Sequence, residues 1–155
     1  DFFETDFSQA TVLTLFIQKH LNLQLRPTIL KMRPGTRVLS NFFDMGEWKP
    51  DETAVVRGDC VGYCVAHLWI VPADVSGICK TPAGKLTLEQ TFQTISGTLE
   101  NGNVTSSVQG KLIGERIYLT AGRLHVAGTT AGNAIEGVAT ENGNEASLQA
   151  IRIAD

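Results

Sequence analysis

The sequence predicts an α+β, mostly β protein in two parts: a small mixed α/β sheet, then an antiparallel β meander closing into a barrel or a small sandwich. Two observations carry this. Up to Pro72, strand and helix signals alternate at the spacing of a βαβ unit. Beyond Pro72 no helix signal stands out, and glycine punctuates runs of alternating residues. The expected division is residues 1–72 and 73–155.

The elements follow in order. Ala10 to Ile17, ATVLTLFI, is a short apolar run rich in β-branched residues and reads as a strand buried on both faces. Leu21, Leu25, Ile29, Leu30 and Met32 recur near helical spacing, so the sequence predicts a helix over 21–32, with Pro27 in its first turn, where a missing N–H costs nothing. Pro34-Gly35 stops it. Thr36 to Phe43 is the next strand, parallel to the first. Thr53 to Arg57 and Val65 to Val71 are two strands around a glycine-containing turn, a hairpin that makes the sheet mixed.

In the second part, Lys85 to Ile95, Arg116 to Thr120 and Arg123 to Val126 read as strands, with Asn101-Gly102, Asn133 and Asn142-Gly143 as turns. An apolar-x-Gly unit recurs at Val75-Ser76-Gly77, Ile95-Ser96-Gly97, Val108-Gln109-Gly110, Val126-Ala127-Gly128 and Ile135-Glu136-Gly137. These glycines suit bends of tightly curved strands. A phosphate-cradling loop needs clustered glycines between a strand and a helix, and no helix follows any of them.

Composition narrows the functions. The chain has 155 residues and is 43% hydrophobic, so it buries a core. Thirteen Lys and Arg against 16 Asp and Glu leave a net charge of −3 and no basic stripe, which argues against a nucleic-acid partner. No apolar run approaches the roughly 20 residues of a membrane span. The chain opens on Asp1-Phe2-Phe3-Glu4 with no leader-like segment and reads as the interior of something longer; the expected compartment is the cytoplasm. There is no G-x-S-x-G and no H-E-x-x-H, and His20, His67 and His125 sit far apart in unlike contexts, as surface or half-buried residues. Cys60-x3-Cys64, with His67 nearby, has roughly metal-like spacing. With Cys79 making an odd count, the expectation is no metal site and cysteines acting as small apolar fillers in a reducing compartment.

One stretch is odd. The strand from Thr36 ends in Asn41, Phe42, Phe43, Asp44, Met45, Gly46, Glu47 and Trp48, a mixture of acid, thioether and indole. Either it borders a site, or its apolar members cap the core around an Asp44-Met45-Gly46 turn.

Three stretches carry a resemblance: Asp1 through Phe16, Asn22-Leu23-Gln24-Leu25-Arg26-Pro27, and Lys31 to Asp51. In order and spacing they are similar to the C-terminal part of class I S-adenosylmethionine-dependent methyltransferases. A looser likeness continues through Ala66 to Ala73 into a glycine-punctuated β extension. The resemblance implies a partial Rossmann-like mixed sheet. It implies that Asp1 matches the acid binding the adenine amino group and Phe2 the residue beside the ring. Thr14 to Ile17, with Thr14 and Phe16 as the candidate cofactor contacts, would be the strand end facing the transferred methyl group. Asn41, Asp44, Met45 and Trp48 would border the acceptor pocket. The glycine-rich cofactor loop and the ribose-binding acid of such enzymes have no counterpart in these 155 residues. S-adenosylmethionine is thus a cofactor by resemblance, held weakly or not at all by this chain. Two departures matter: Phe16-Ile17-Gln18-Lys19 stands where relatives have Tyr-Leu-Leu-Pro, and Asn41 stands in place of a His.

Three functions follow as expectations: a methyltransferase-like fragment inactive alone, a non-enzymatic ligand-binding or assembly module built on the β part, or part of an active protein-lysine methyltransferase. The partner expected is a second copy of the chain, paired through Ala10 to Ile17. That run has no Pro, Lys or Arg to discourage edge pairing.

Overall fold

The structure is a computed structural model that describes residues 3–154. The chain divides into two compact units, Asp1–Pro72 and Ala73–Asp155. In the first, β1 (Val12–Leu15) leads through α1 (Lys19–Ile29) to β2 (Arg37–Asn41), which pairs with β1 in parallel. β3 (Glu52–Val55) and β4 (Val65–Ile70) form an antiparallel hairpin, and β4 pairs antiparallel with β2. The sheet order is β1-β2-β4-β3, a mixed sheet.

Alternation decides which face is buried. Along β2, Val38 and Ser40 are buried while Arg37, Leu39 and Asn41 are exposed. Asn22 of α1 bonds Ser40, so α1 lies on the Val38 face. The core there contains Leu25, Ile29, Met32, Val38, Met45, Trp48, Trp69 and Val71.

Three expectations need correction. β1 is shorter than Ala10 to Ile17 and is not buried on both faces: Val12 is 40% exposed, because β1 is the sheet edge and only the α1 face is covered. The helix begins at Lys19 and ends at Ile29, so Pro27 lies near its end. Only two helical residues follow Pro27, which limits the disruption a proline causes inside a helix. Met32 is buried from beyond the helix.

The second unit is a closed barrel of eight antiparallel strands: β5 (Gly77–Thr81), β6 (Gly84–Thr91), β7 (Thr94–Asn101), β8 (Val104–Ile113), β9 (Arg116–Ala121), β10 (Leu124–Ala131), β11 (Ala134–Glu141) and β12 (Asn144–Ala154). Each strand pairs with its neighbour in sequence, and β12 returns to β5 to close the ring. The meander is therefore a barrel and not a sandwich. The run Lys85 to Ile95 is not one strand. It breaks at Phe92-Gln93, where Phe92 takes φ +55 and the chain turns back.

Two-residue turns link all eight strands. Inward residues such as Leu86, Leu88, Ile95, Val108, Leu112, Ile117, Leu119 and Ile135 fill the interior. The lead-in joins this core through Ala73 and Val75. Gln90 holds it there by accepting from the Val75 N–H and donating to the Ala73 carbonyl. An apolar cavity of about 30 Å³ lies beside Leu86, Leu99, Val108 and Leu148.

The repeated glycines sit where strands touch. A β-carbon on Gly97 would overlap the Thr87 carbonyl oxygen of β6, and Gly110, Gly128 and Gly137 meet neighbouring backbone in the same way. The close approach lets short strands coil into a narrow barrel. No helix of the described residues is long and apolar enough to cross a membrane.

Candidate functional site

The carboxyl ends of β1 and β2 lie side by side, since Leu15 is the register partner of Ser40. In open sheets of this kind, ligands sit outside such strand ends. What the chain does immediately after each strand defines the surface there.

After β2 the backbone reverses through Phe42, at φ +67, a region that residues with a β-carbon seldom occupy. The Phe42 N–H donates to the Val65 carbonyl at 2.7 Å. The Ser40 hydroxyl donates to the Phe43 carbonyl at 2.7 Å. From α1, buried Asn22 donates its amide to Ser40 Oγ at 3.2 Å and to the Phe43 carbonyl at 3.1 Å. One turn along the same helix face, Arg26 Nη1 donates to the Met45 carbonyl at 2.9 Å. Asn22 and Arg26 thus clamp the loop after β2, which gives the Asn-Leu-Gln-Leu-Arg stretch its structural purpose.

The loop then turns inward. Asp44 accepts from the Gly46 N–H at 2.7 Å, and Gly46 takes φ +68 against Leu23. Lys19 pairs with Asp44 at 3.0 Å. Partial burial pushes the Asp44 carboxyl up, but the Gly46 N–H, the Lys19 ammonium and the His67 ring together hold it below the ordinary carboxylate range. Met45 and Trp48 are fully buried, and the Trp48 carbonyl accepts from Trp69 Nε1 at 2.8 Å. Asp51 accepts from the Ile70 N–H at 2.8 Å, tying the end of the motif to β4.

The candidate residues therefore separate. Asn41 is exposed at the end of β2, and Thr14 and Phe16 are exposed at the end of β1, Phe16 by 63%. Asp44 is half exposed but occupied by the turn and by Lys19. Met45 and Trp48 are fully buried in the core of the unit and bridge each other across the Asp44–Gly46 turn. Asp1 and Phe2 lie outside the described residues.

Sequence reasoning missed an aromatic surface. Tyr63, just before β4, meets Phe16 edge-on at 5.4 Å and Phe42 edge-on at 5.2 Å, with Phe43 at 6.1 Å. Phe42 and Phe43 meet at 5.3 Å. Phe16, Phe42 and Tyr63 are each about half exposed or more.

The cysteines also correct an expectation. Cys60 and Cys64 form a disulfide and are not free apolar fillers; Cys79 is the free, buried one. Burial pushes the Cys79 thiol up, with Arg152 pulling the other way. His67 hydrogen bonds Thr53 at 2.9 Å, and among the described residues no three His, Cys, Asp or Glu gather as metal ligands.

No protein-family profile matches the chain. Over 72 residues, 46% of its length, it is 38% identical to a protein-lysine N-methyltransferase of Saccharolobus islandicus. A solved structure, an RNA methyltransferase from Salinibacter ruber in complex with S-adenosyl-L-homocysteine, is 41% identical over 48% of the chain and 46% of its own, with a TM-score of 0.43. The chain spans 44% of the length of the curated relative. About half of this chain is methyltransferase-like.

Proposed function

We propose that the chain supplies the acceptor-side strand ends of an S-adenosylmethionine-dependent methyl-transfer site, and that by itself it holds the cofactor weakly. The observation that carries this is the meeting of the β1 and β2 ends beneath exposed Thr14, Phe16, Asn41 and Phe42. Bound there, the cofactor supplies an electrophilic methyl on a sulfonium. Exposed Phe16 and Thr14 are the residues that would contact it, and the Asn22–Arg26 clamp fixes the backbone on the acceptor side. A lysine amine is the acceptor we propose, after the curated relative's name. The exposed rings suit an aliphatic, cationic side chain.

The polar anchors that a glycine loop and a ribose acid supply are not in this sequence. Losing several charge-assisted hydrogen bonds, each about 1.5–3 kcal/mol, leaves affinity near millimolar at best. Titration with S-adenosylhomocysteine, followed by amide NMR, should shift Thr14, Phe16 and Asn41 with a midpoint near millimolar, and calorimetry should show no micromolar binding. Micromolar heat, or shifts confined to the barrel, would overturn the reading. The barrel interior does not favour a ligand store: its cavity of about 30 Å³ falls far below the several hundred Å³ of a small-molecule site.

A second reading, assembly, is favoured by the open edge of β1. Among the described residues no strand pairs with its outer side, and Val12 and Leu39 are exposed on the uncovered face. A second copy paired through 10–17 about a two-fold axis satisfies that edge. Leu13 faces α1 with Val38, so Val12→Lys tests the edge without burying a charge in the core. Light scattering should give a dimer mass for the natural chain and a monomer mass for V12K. A stable monomer of the natural chain at high concentration would defeat this. We place the protein in the cytoplasm, where a disulfide is usually transient or redox-sensing.

A further inference from the structure

We infer that Cys60–Cys64 is a thiol–disulfide exchange site, and that its redox state decides whether Tyr63 sits on the aromatic surface at the strand ends. Both cysteines lie on the β3–β4 connection, four residues apart. The bond joins no separate elements. Val55 and Val65 are already register partners, and the Val56 N–H donates to the Cys64 carbonyl at 2.8 Å. A ring this short also removes little freedom from the unfolded chain compared with a long loop. The hairpin therefore does not depend on the disulfide, and what the disulfide constrains is Val61, Gly62 and Tyr63.

Tyr63 needs that constraint. It holds φ +53 directly after Gly62 at φ +78. In this conformation its ring rests on Phe16, which follows β1, and on Phe42 and Phe43, which follow β2. The disulfide loop is thus the third wall of a surface whose other walls are the two strand ends.

The bond is accessible. Cys60 is exposed and Val61 is 97% exposed, so a dithiol reductant reaches it. One reductant thiolate attacks the Cys60–Cys64 bond and forms a mixed disulfide, and the second reductant thiol resolves it. Two electrons and two protons pass to Cys60 and Cys64, which leave as thiols, and the dithiol becomes a disulfide. Cys79, buried in the barrel core, takes no part. Reduction frees the loop to relax from its left-handed turn and lifts Tyr63 off the phenylalanines; exchange of the two thiols with an oxidising disulfide, which is reduced to its dithiol as it takes up the two electrons and two protons, restores the contact. None of this depends on which ligand the surface takes.

The test compares the air-oxidised chain, the chain in dithiothreitol and the Cys60→Ser/Cys64→Ser double variant. The folded oxidised chain should show no reactive thiol to a chromogenic thiol reagent, and the reduced chain two. Proton cross-peaks between the Tyr63 ring and the Phe16 and Phe42 rings should be present when oxidised. They should fall to less than half in the reduced chain and in the double variant, with barrel amide shifts unchanged. Cross-peaks of unchanged intensity after two thiols are freed would overturn the inference, as would two reactive thiols in the oxidised chain.

Discussion

Expressed alone, Ala73–Asp155 should give a folded, all-β circular dichroism spectrum, and Gly97→Val should abolish it. We propose that this segment folds on its own core, because inward residues from its own strands and lead-in fill the barrel. Gly97 is a point of high leverage within a strand. Its missing β-carbon is what allows β7 to lie against the Thr87 carbonyl, and that obstacle is backbone, not a flexible side chain. Overpacking in a core costs about 1–3 kcal/mol where side chains yield. Here a strand of a closed ring must move, so the cost sits at or above the top of that range, enough to unfold a marginal domain. Gly102→Ala is the control: it lies in a turn with nothing within 4 Å and bears only the cost of φ +57, about 1–2 kcal/mol. A random-coil spectrum for the natural segment would mean that it relies on the rest of the chain. A stable Gly97→Val would mean that the close approach is dispensable.

The second large effect is expected at Trp69→Ala. Trp69 is fully buried, packs on Trp48 at 6.1 Å and on His67 at 5.6 Å, and donates to the Trp48 carbonyl. Removing an indole from a core costs about 3–5 kcal/mol. Leaving the Trp48 carbonyl without that donor adds about 1–3 kcal/mol. The sum approaches the whole stability of a small unit. Both tryptophans lie in the Asp1–Pro72 unit, so urea-dependent fluorescence reports that unit alone. The variant should show the red-shifted emission of an exposed indole without denaturant, while the β circular dichroism of the barrel persists. Trp69→Phe should fall between. A Trp69→Ala protein with a natural melting curve would remove this pair from the centre of the core.

How much was legible depends on which interaction decided each element. The parallel pairing of β1 with β2 and the hairpin beyond them were legible, because period-two burial along Arg37–Asn41 is written directly in residue types. Pro27 misled, since a proline signals a helix start only when nothing else sets the boundaries; here the packing of Leu25 and Ile29 sets them. The Phe92-Gln93 turn has no Gly or Asn to announce it, and the register of the barrel forces the left-handed residue there. At the strand ends, the exposure of Thr14, Phe16 and Asn41 follows from strand position. The burial of Met45 and Trp48 does not, because one reversal at Phe42 and a turn at Asp44–Gly46 decide whether their side chains meet solvent or core. Tyr63 was hidden by distance in sequence: 47 positions separate it from Phe16, and it is the pairing of β2 with β4 that brings its segment beside the strand ends.

The connectivity of the barrel carries a kinetic consequence. Seven of its eight pairings join strands separated by two residues, and only β12 with β5 joins distant ones. Short-range pairings form with little entropy to overcome, so the chain zips as successive hairpins and meets a long loop closure once. That closure rests on Ile151 against Lys80 and Arg152 against Cys79, with Arg152 also donating to the Asp74 carbonyl at 2.6 Å. β12 acts as a clasp: until it has been synthesised and has paired with β5, both open edges of the nascent sheet are available to other chains.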